Sequence, residues 1–354
     1  MKRRQYLLLF LSMSAVISAL LVSCGPGEKT QLKIFNAGSL MDPFLDLEKE
    51  FEALHPDIDV QPEGHGSVQV IRYITELHKE ADLAAVADEQ LIPLMMYQSQ
   101  VPGGKGPYAD WYIKFAVNRL CLAYRPDSAY ASEITIDNWH NILARPDVRF
   151  GLPDPSIDSL GYRALMAIYL TGSFYHDETM FQRLIIDNFS SGLEAGISSG
   201  VATIKVPELM KPVNSRIYLR SYSIQTIALL ESGEIDYAFE YESVARQRGL
   251  NFLKLPREVD LSSPEYAGLY SRVRVKLDFQ RFASVTPDFV GAPIVYGITI
   301  PRSAPHWKEA ITFLEFLLGP EGQRILSENF QPMLSPIVAD GQGNMPDRLI
   351  SFLK

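Results

Sequence analysis

Hydrophobic positions along this chain follow two rhythms. From residue 31, short apolar runs alternate with stretches whose apolar residues recur every three or four positions. Leu32 to Phe35 reads as a buried strand, after which Phe44, Leu47, Phe51 and Leu54 fall on one face of a helix. Asp42-Pro43 fits a capping residue followed by proline at the first helical position. Ile58-Asp59-Val60 predicts the next strand, and Val70, Ile71, Ile74 and Leu77 the next helix face. Asp82 to Ala87 reads as a short buried strand, and Leu91 to Met96 opens another helix. This alternation predicts an α/β fold with sheets of parallel type flanked by helices.

Residues 112–124, YIKFAVNRLCLAY, break the rhythm with a long apolar strand pattern and no helix nearby. PIVYGITI at 293–300 is a second such strand, and the helix after it, carrying Ala310, Phe313, Leu314 and Leu317, stops at Gly319-Pro320. Two long strands this far apart are read as crossings between two lobes. The expected organisation is a first lobe of residues 31–120 plus 294–354, with residues 121–293 inserted as a second lobe. A length of 354 residues suits two compact lobes better than one core.

The first residues change the picture of where the chain works. Lys2-Arg3-Arg4 precedes a mostly apolar run from Leu7 to Val22, which ends at Leu21-Val22-Ser23-Cys24. A basic start, a short apolar stretch and small residues describe a secretory signal over 1–23 rather than a spanning helix. The exit resembles the lipobox of bacterial lipoproteins, in which Cys24 becomes the lipidated first residue; a plain signal anchor is the alternative. Residues 24–30 then form a short tether. Loss of Lys2, Arg3 and Arg4 takes the formal charge from −9 to −12, and no basic stripe is present, so nucleic acid is excluded as a partner. Cys121 is then the single cysteine besides Cys24, which leaves no internal disulfide. The six histidines form no HxxxH pair or Cys/His cluster, so no bound zinc and no cofactor are expected.

Candidate chemistry lies at the turns. Gly38-Ser39 and Gly66-Ser67 each stand where a strand pattern gives way to a helical one. The first turn of a helix offers unpaired N–H groups and partial positive charge. A serine adds a hydroxyl donor there, and glycine lets a ligand come close to the backbone. Together they make an anion site that needs no lysine or arginine. Each serine alone reads first as a helix cap; it is the recurrence of the turn within one lobe that gives the anion site comparable weight. The inserted lobe offers similar turns at Asp158-Ser159-Leu160-Gly161 and at Ser221 to Ser223, and a strand end at Glu240-Tyr241.

KIFNAGSLMDPFLDLEKEFEALHPDIDVQ, GSVQVIRYITEL, ADLAAVADEQLIPLMM, DSLGYRALM, LLESGEIDYAFEYESVA and PIVYGITIPRSAPHWKEAITFLEFLLGPEGQRIL together resemble the tungstate/molybdate-binding proteins of ABC importers, in their archaeal-type branch. The similarity runs from about residue 31 to the C-terminus. It implies a two-lobed, type II periplasmic-binding-protein fold with the ligand cleft between the lobes. It also implies tungstate or molybdate as cargo, a permease with its ATPase as partners, and a monomer held at the membrane by lipid on Cys24. Carried across, Gly38 and Ser39 match the first oxyanion-binding turn and Ser67 the second. Asp158, with the backbone at Ser159 and Leu160, matches the third, and Tyr241 matches the tyrosine that reaches the oxyanion. Ser223 departs, because this branch usually has a glutamate there that completes six-fold coordination of the metal with the aspartate. Glu240 is the nearby carboxylate available to substitute, although a strand residue before Tyr241 can point away.

An aspartate in a dianion site needs a reason. Two like charges at ~4 Å repel by about 4 kcal/mol at an effective dielectric of 20. Asp158 either accepts a hydrogen bond from a protonated anion such as hydrogen phosphate, or approaches a Mo or W centre able to expand beyond four oxygens. Phosphate or sulfate binding is therefore the alternative ligand reading. A serine hydrolase is the remaining one, with His65 as base for Ser67 in GHGS. The nucleophile elbow, however, wants glycine two residues after the serine, where Gln69 and, for Ser39, Met41 stand.

Overall fold

The computed structural model describes residues 29–104, 106–190, 192–277 and 287–353. The expected signal segment 1–23 and the lipid site Cys24 lie outside the described residues.

The first lobe is built on six strands in the spatial order Met333–Asp340, Tyr112–Val117, Val295–Thr299, Leu83–Val86, Thr30–Ala37 and Ile58–His65. Thr30–Ala37 pairs in parallel with both Ile58–His65 and Leu83–Val86. Helices Met41–Leu54 and Ser67–Thr75 make those crossovers, as the 3.6-residue periodicity predicts. Val295–Thr299 and Met333–Asp340 instead join antiparallel. The second lobe repeats the plan, with Asn251–Lys254, Leu120–Tyr124, Tyr237–Tyr241, Phe150–Pro153 and Ile217–Arg220 in that order. Its last three strands are parallel and its first two antiparallel. The sheets are thus mixed rather than of parallel type throughout, because the strands that enter from the other lobe, Leu120–Tyr124 and Val295–Thr299, run against both of their neighbours.

The stretch 112–124 is two strands and not one. Tyr112–Val117 belongs to the six-stranded sheet and Leu120–Tyr124 to the five-stranded one. Asn118 makes the break: its side-chain oxygen accepts from Arg119 N at 3.0 Å, which bends the backbone out of the ladder. The return crossing is Val295–Thr299, shorter than 293–300, and Asn118 N donates to Ile294 O where the two segments meet.

Several local expectations change. Asp42 and Pro43 do not cap the first helix; a 3₁₀ turn over Gly38–Leu40 leads into it, and both residues sit inside its first turn. Leu54 and Leu77 are exposed, while Phe44, Leu47, Phe51, Val70, Ile71 and Ile74 are buried. Ile92–Met96 forms one wide π-type turn rather than a full helix. A third sheet, Asp288–Val290, Val273–Leu277, Val201–Val206 and Glu194–Ser198, is announced by no clean apolar run. Phe51 meets Phe313 and Phe316 at centroid distances of 5.2 and 5.5 Å, so the N-terminal helix and the helix Trp307–Leu318 share one core.

Candidate functional site

Both glycine-serine steps turn out to start helical segments without capping them. Ser67 is the first residue of its helix, and Gly66 holds the capping position with no side-chain cap. Ser67 Oγ instead accepts from Ala87 N at 3.0 Å, across the end of the neighbouring strand. Ser39 lies in the 3₁₀ turn with its hydroxyl 2.9 Å from that of Tyr296. The cap reading of the two serines therefore fails on geometry: their hydroxyls are held by other segments.

From the other lobe, Asp158 caps the helix Ser159–Phe174, with Oδ1 accepting from Leu160 N at 3.0 Å. Its Oδ2 accepts from Ser223 N at 3.1 Å, where the helix Ser223–Glu231 begins. One carboxylate thus joins two helix starts, and the Leu160 N–H is engaged by Asp158. Ser159 Oγ donates to Ser67 Oγ at 3.3 Å across the cleft and lies 3.3 Å from the Tyr241 hydroxyl. A Cβ built on Gly38 would lie 3.6 Å from Ser223 Oγ. Gly38, Ser39 and Ser67 therefore face Asp158, Ser159, Ser223 and Tyr241, and all but Gly38 are buried.

Sequence reasoning missed the residues that aim these hydroxyls. Asn118 is oriented by the Arg119 N–H at its oxygen, so its Nδ2 faces Tyr296 and donates to that hydroxyl at 3.0 Å. An amide nitrogen can only donate, so the Tyr296 hydrogen is available to Ser39 Oγ, and with that bond made the Ser39 hydrogen is free for an acceptor in the cleft. Ser67 Oγ already accepts from Ala87 N and Ser159, so its own hydrogen is also left over. Arg163 Nη1 donates to the Tyr241 hydroxyl at 2.9 Å, so Tyr241 keeps its own hydrogen to give, to Ser159 Oγ at 3.3 Å or to a guest that replaces that contact. Ser39, Ser67 and Tyr241 thus each accept at the oxygen and keep a hydrogen to give at the cleft. Nothing local in YRALM or PIVYG signals these roles, since the partners are distant in sequence.

The charges are arranged unusually. Burial pushes the Asp158 carboxyl up to about 6, and its two backbone donors and Arg163 pull back only in part. Glu240 is fully buried; burial pushes it up to about 8 against the single stabilising bond from Tyr241 N, at 2.8 Å. Its Oε1 turns back on its own strand, and Oε2 has no hydrogen-bond partner among the described residues. The Arg163 guanidinium is buried beside Asp88 at 3.3 Å. His65 is not poised as a base for Ser67: its ring packs 4.8 Å from Tyr73, its Nε2 lies 3.7 Å from Glu63, and burial pushes its pKa down. Among the described residues no group of three or more His, Cys, Asp or Glu could hold a metal ion.

With this geometry in hand, known proteins can be compared. The profile described as bacterial extracellular solute-binding protein matches residues 32–330. An uncharacterized solute-binding protein of Methanoculleus marisnigri is 41% identical over 327 residues, covering 92% of this chain and 88% of that one. The molybdate/tungstate-binding protein WtpA of Thermococcus kodakarensis is 37% identical over 351 residues, covering 97% and 93%. Among solved structures, the periplasmic molybdate-binding protein of Azotobacter vinelandii superposes with a TM-score of 0.53 at 16% identity, covering 86% of this chain and all of that one. The sulfate-binding protein SubI of Mycobacterium tuberculosis gives 0.56 at 13% identity, covering 87% and 88%. These two structural likenesses speak to the fold alone.

Proposed function

The chain belongs to the bacterial extracellular solute-binding proteins, and from that premise we propose that it captures molybdate or tungstate between its lobes and delivers it to an ABC permease and its ATPase. The observation that carries this reading is the donor wiring of Ser39, Ser67 and Tyr241, each of which accepts at its oxygen and keeps its own hydrogen to give to a guest between the lobes. Such a site favours an acceptor-only guest, which a fully ionised tetrahedral oxyanion is. A relative 37% identical over nearly the whole chain carries the molybdate/tungstate name. The oxyanion contacts proposed are Gly38, Ser39, Ser67, Asp158, Ser159, Leu160, Ser223 and Tyr241. Asp158 is proposed to approach the metal, since each of its oxygens keeps a lone pair beyond the bonds to Leu160 and Ser223. With serine at 223, a second carboxylate would have to come from Glu240, whose carboxyl is turned toward Tyr241 N; a coordination number below six is the proposal. No cofactor is proposed.

Export by a signal over 1–23, lipid attachment at Cys24 and a monomeric state complete the proposal. One acyl chain anchors only marginally, so the multi-chain lipid of bacterial lipoproteins is the anchor of choice. Among the described residues no helix is long and apolar enough to cross a membrane.

The test is a melting scan with sodium tungstate, sodium molybdate, sulfate and phosphate. A ligand that binds only the folded protein, at 100 times its dissociation constant, adds about 2.7 kcal/mol. Tungstate and molybdate are expected to raise the melting temperature and sulfate and phosphate to do so less. A larger shift with phosphate would move the assignment to a protonated anion accepted by Asp158.

Ser39→Ala and Ser67→Ala each remove one hydroxyl donor and leave the backbone donors in place. Each is expected to weaken tungstate binding by roughly 1.5–3 kcal/mol, the range for hydrogen bonds to charged groups. Titration calorimetry reads this directly, and parent-like affinity in both variants would remove the serines from the site.

A further inference from the structure

Arg163 stands five residues into the helix Ser159–Phe174 and is almost fully buried. Its Nη1 donates to the Tyr241 hydroxyl at 2.9 Å and to the Ala87 carbonyl at 2.6 Å. Its Nη2 lies 3.3 Å from Asp88 Oδ1. The other Asp88 oxygen accepts from the Tyr162 hydroxyl at 2.5 Å, and the Tyr162 ring is stacked on Phe289 at 4.1 Å. Tyr162, Arg163 and Tyr241 are second-lobe residues, whereas Ala87 and Asp88 directly follow the first-lobe strand Leu83–Val86. That same Ala87 gives its N–H to Ser67. One dipeptide therefore holds a cleft hydroxyl of its own lobe with its N–H, and the guanidinium of the other lobe with its carbonyl and carboxylate.

We propose that Arg163 is a positioning residue that makes Tyr241 a directed donor only when the lobes close, with Ala87-Asp88 as the first-lobe half of the latch. The inference rests on the oxyanion reading above and deepens it. A guanidinium is a rigid fork with donors only, so its position dictates which lone pair of the Tyr241 oxygen is filled and where the hydroxyl hydrogen points. Two of its three partners arrive from the opposite lobe. When the lobes part, those partners withdraw, the buried cation loses its counter-charge, and its hold on Tyr241 relaxes. Capture and closure then become one event: Tyr241 contributes fully only in the arrangement that also brings Ser67 to Ser159. Asp88 never touches Tyr241 in the bonds described, yet on this account it governs what the Tyr241 hydroxyl is worth.

The test is a pair of double-mutant cycles read by titration calorimetry with sodium molybdate and sodium tungstate. In the parent background Tyr241→Phe is expected to weaken binding by about 10- to 100-fold, as for a hydrogen bond to a charged group. In Arg163→Met, and equally in Asp88→Asn, the same Tyr241→Phe change is expected to cost less than about threefold, because the hydroxyl is no longer aimed. A merely structural Arg163 would lower the melting temperature and the affinity but leave the Tyr241 penalty unchanged. Additive losses in both cycles overturn the inference while leaving the oxyanion reading intact. Should Arg163→Met fail to fold, the Asp88→Asn cycle decides alone, since Asp88 lies on the other lobe. Parent protein that takes up neither anion overturns the oxyanion reading, and the inference with it.

Discussion

Gly66→Ala is expected to give a protein that folds normally and cannot close. Gly66 sits at φ −65° and ψ 140°, an ordinary extended conformation that alanine adopts without strain. Its Cβ has no room in the closed arrangement, where it would stand 2.4 Å from the Ile157 carbonyl oxygen and 3.1 Å from Asp158 Cα, both on the opposing lobe. The obstacle is backbone, which cannot turn aside as a flexible side chain does. The clash exists only when the lobes meet, so stability and ligand affinity should separate. The melting temperature of the free protein is expected to hold or rise slightly, because alanine restricts the unfolded chain. Oxyanion affinity is expected to fall by about 3 kcal/mol, roughly a hundredfold, the upper end of what overpacking costs. Small-angle scattering with and without tungstate would show the parent contracting and the variant not; contraction of both would mean the lobes close along another path. Gly38→Ala is the control. There the new Cβ meets Ser223 Oγ at 3.6 Å and the His65 carbonyl at 3.9 Å, ordinary contacts that permit closure. A loss of affinity at Gly38 would therefore report space taken from the ligand.

The second large effect concerns Glu240 and pH. Unfolded, both Asp158 and Glu240 titrate near 4. Folded, burial pushes Asp158 up to about 6 and Glu240 up to about 8. Between those values the folded chain holds protons that the unfolded chain has released, so folding stability falls as pH rises through the window. The contribution of Asp158 declines between about pH 4 and 6, and that of Glu240 between about pH 4.5 and 8. Above pH 8, an ionised Glu240 costs on the order of 5 kcal/mol, since each tenfold change in proton affinity is worth about 1.4 kcal/mol. Glu240→Gln keeps the shape, keeps an acceptor for Tyr241 N, and cannot ionise. Its chemical-denaturation stability relative to the parent is expected to improve from about pH 5 to pH 8 and to level off above that. The slope of that difference is the readout, because a pH-independent offset from the buried amide leaves it untouched. Parallel pH curves for parent and variant would mean that Glu240 ionises freely and that its unpartnered Oε2 reaches solvent or a cation. Subtracting the two curves also removes the contribution of His65 and His140, whose pKa values burial pushes down in both proteins.

Much of this was legible along the chain. The alternation of runs located the parallel core of the first-lobe sheet, because burial within one element leaves a period of two or 3.6 that needs no partner to be read. The Gly-Ser steps, Asp158, Ser223 and Tyr241 stand at turns, helix starts and strand ends, positions that local signals mark. What the chain could not display is which distant group meets each of them. Ser39 finds Tyr296 across 257 residues, Tyr241 finds Arg163 across 78, and Asp158 binds the amide of Ser223 across 65. The direction of a hydroxyl hydrogen follows from whichever obligate donor occupies its oxygen, and that donor is supplied by packing. The same limit hid the break at Asn118, where an apolar pattern runs on although the two halves join different sheets. It also made Leu54 and Leu77 look like core residues, since periodicity marks a helix face but not how far the opposing surface extends. Local sequence determined the elements and the chemical groups at their ends; the tertiary structure alone decided that those groups face one another, because hydrogen bonds and charge compensation depend on distances of a few ångströms between segments that the chain order keeps far apart.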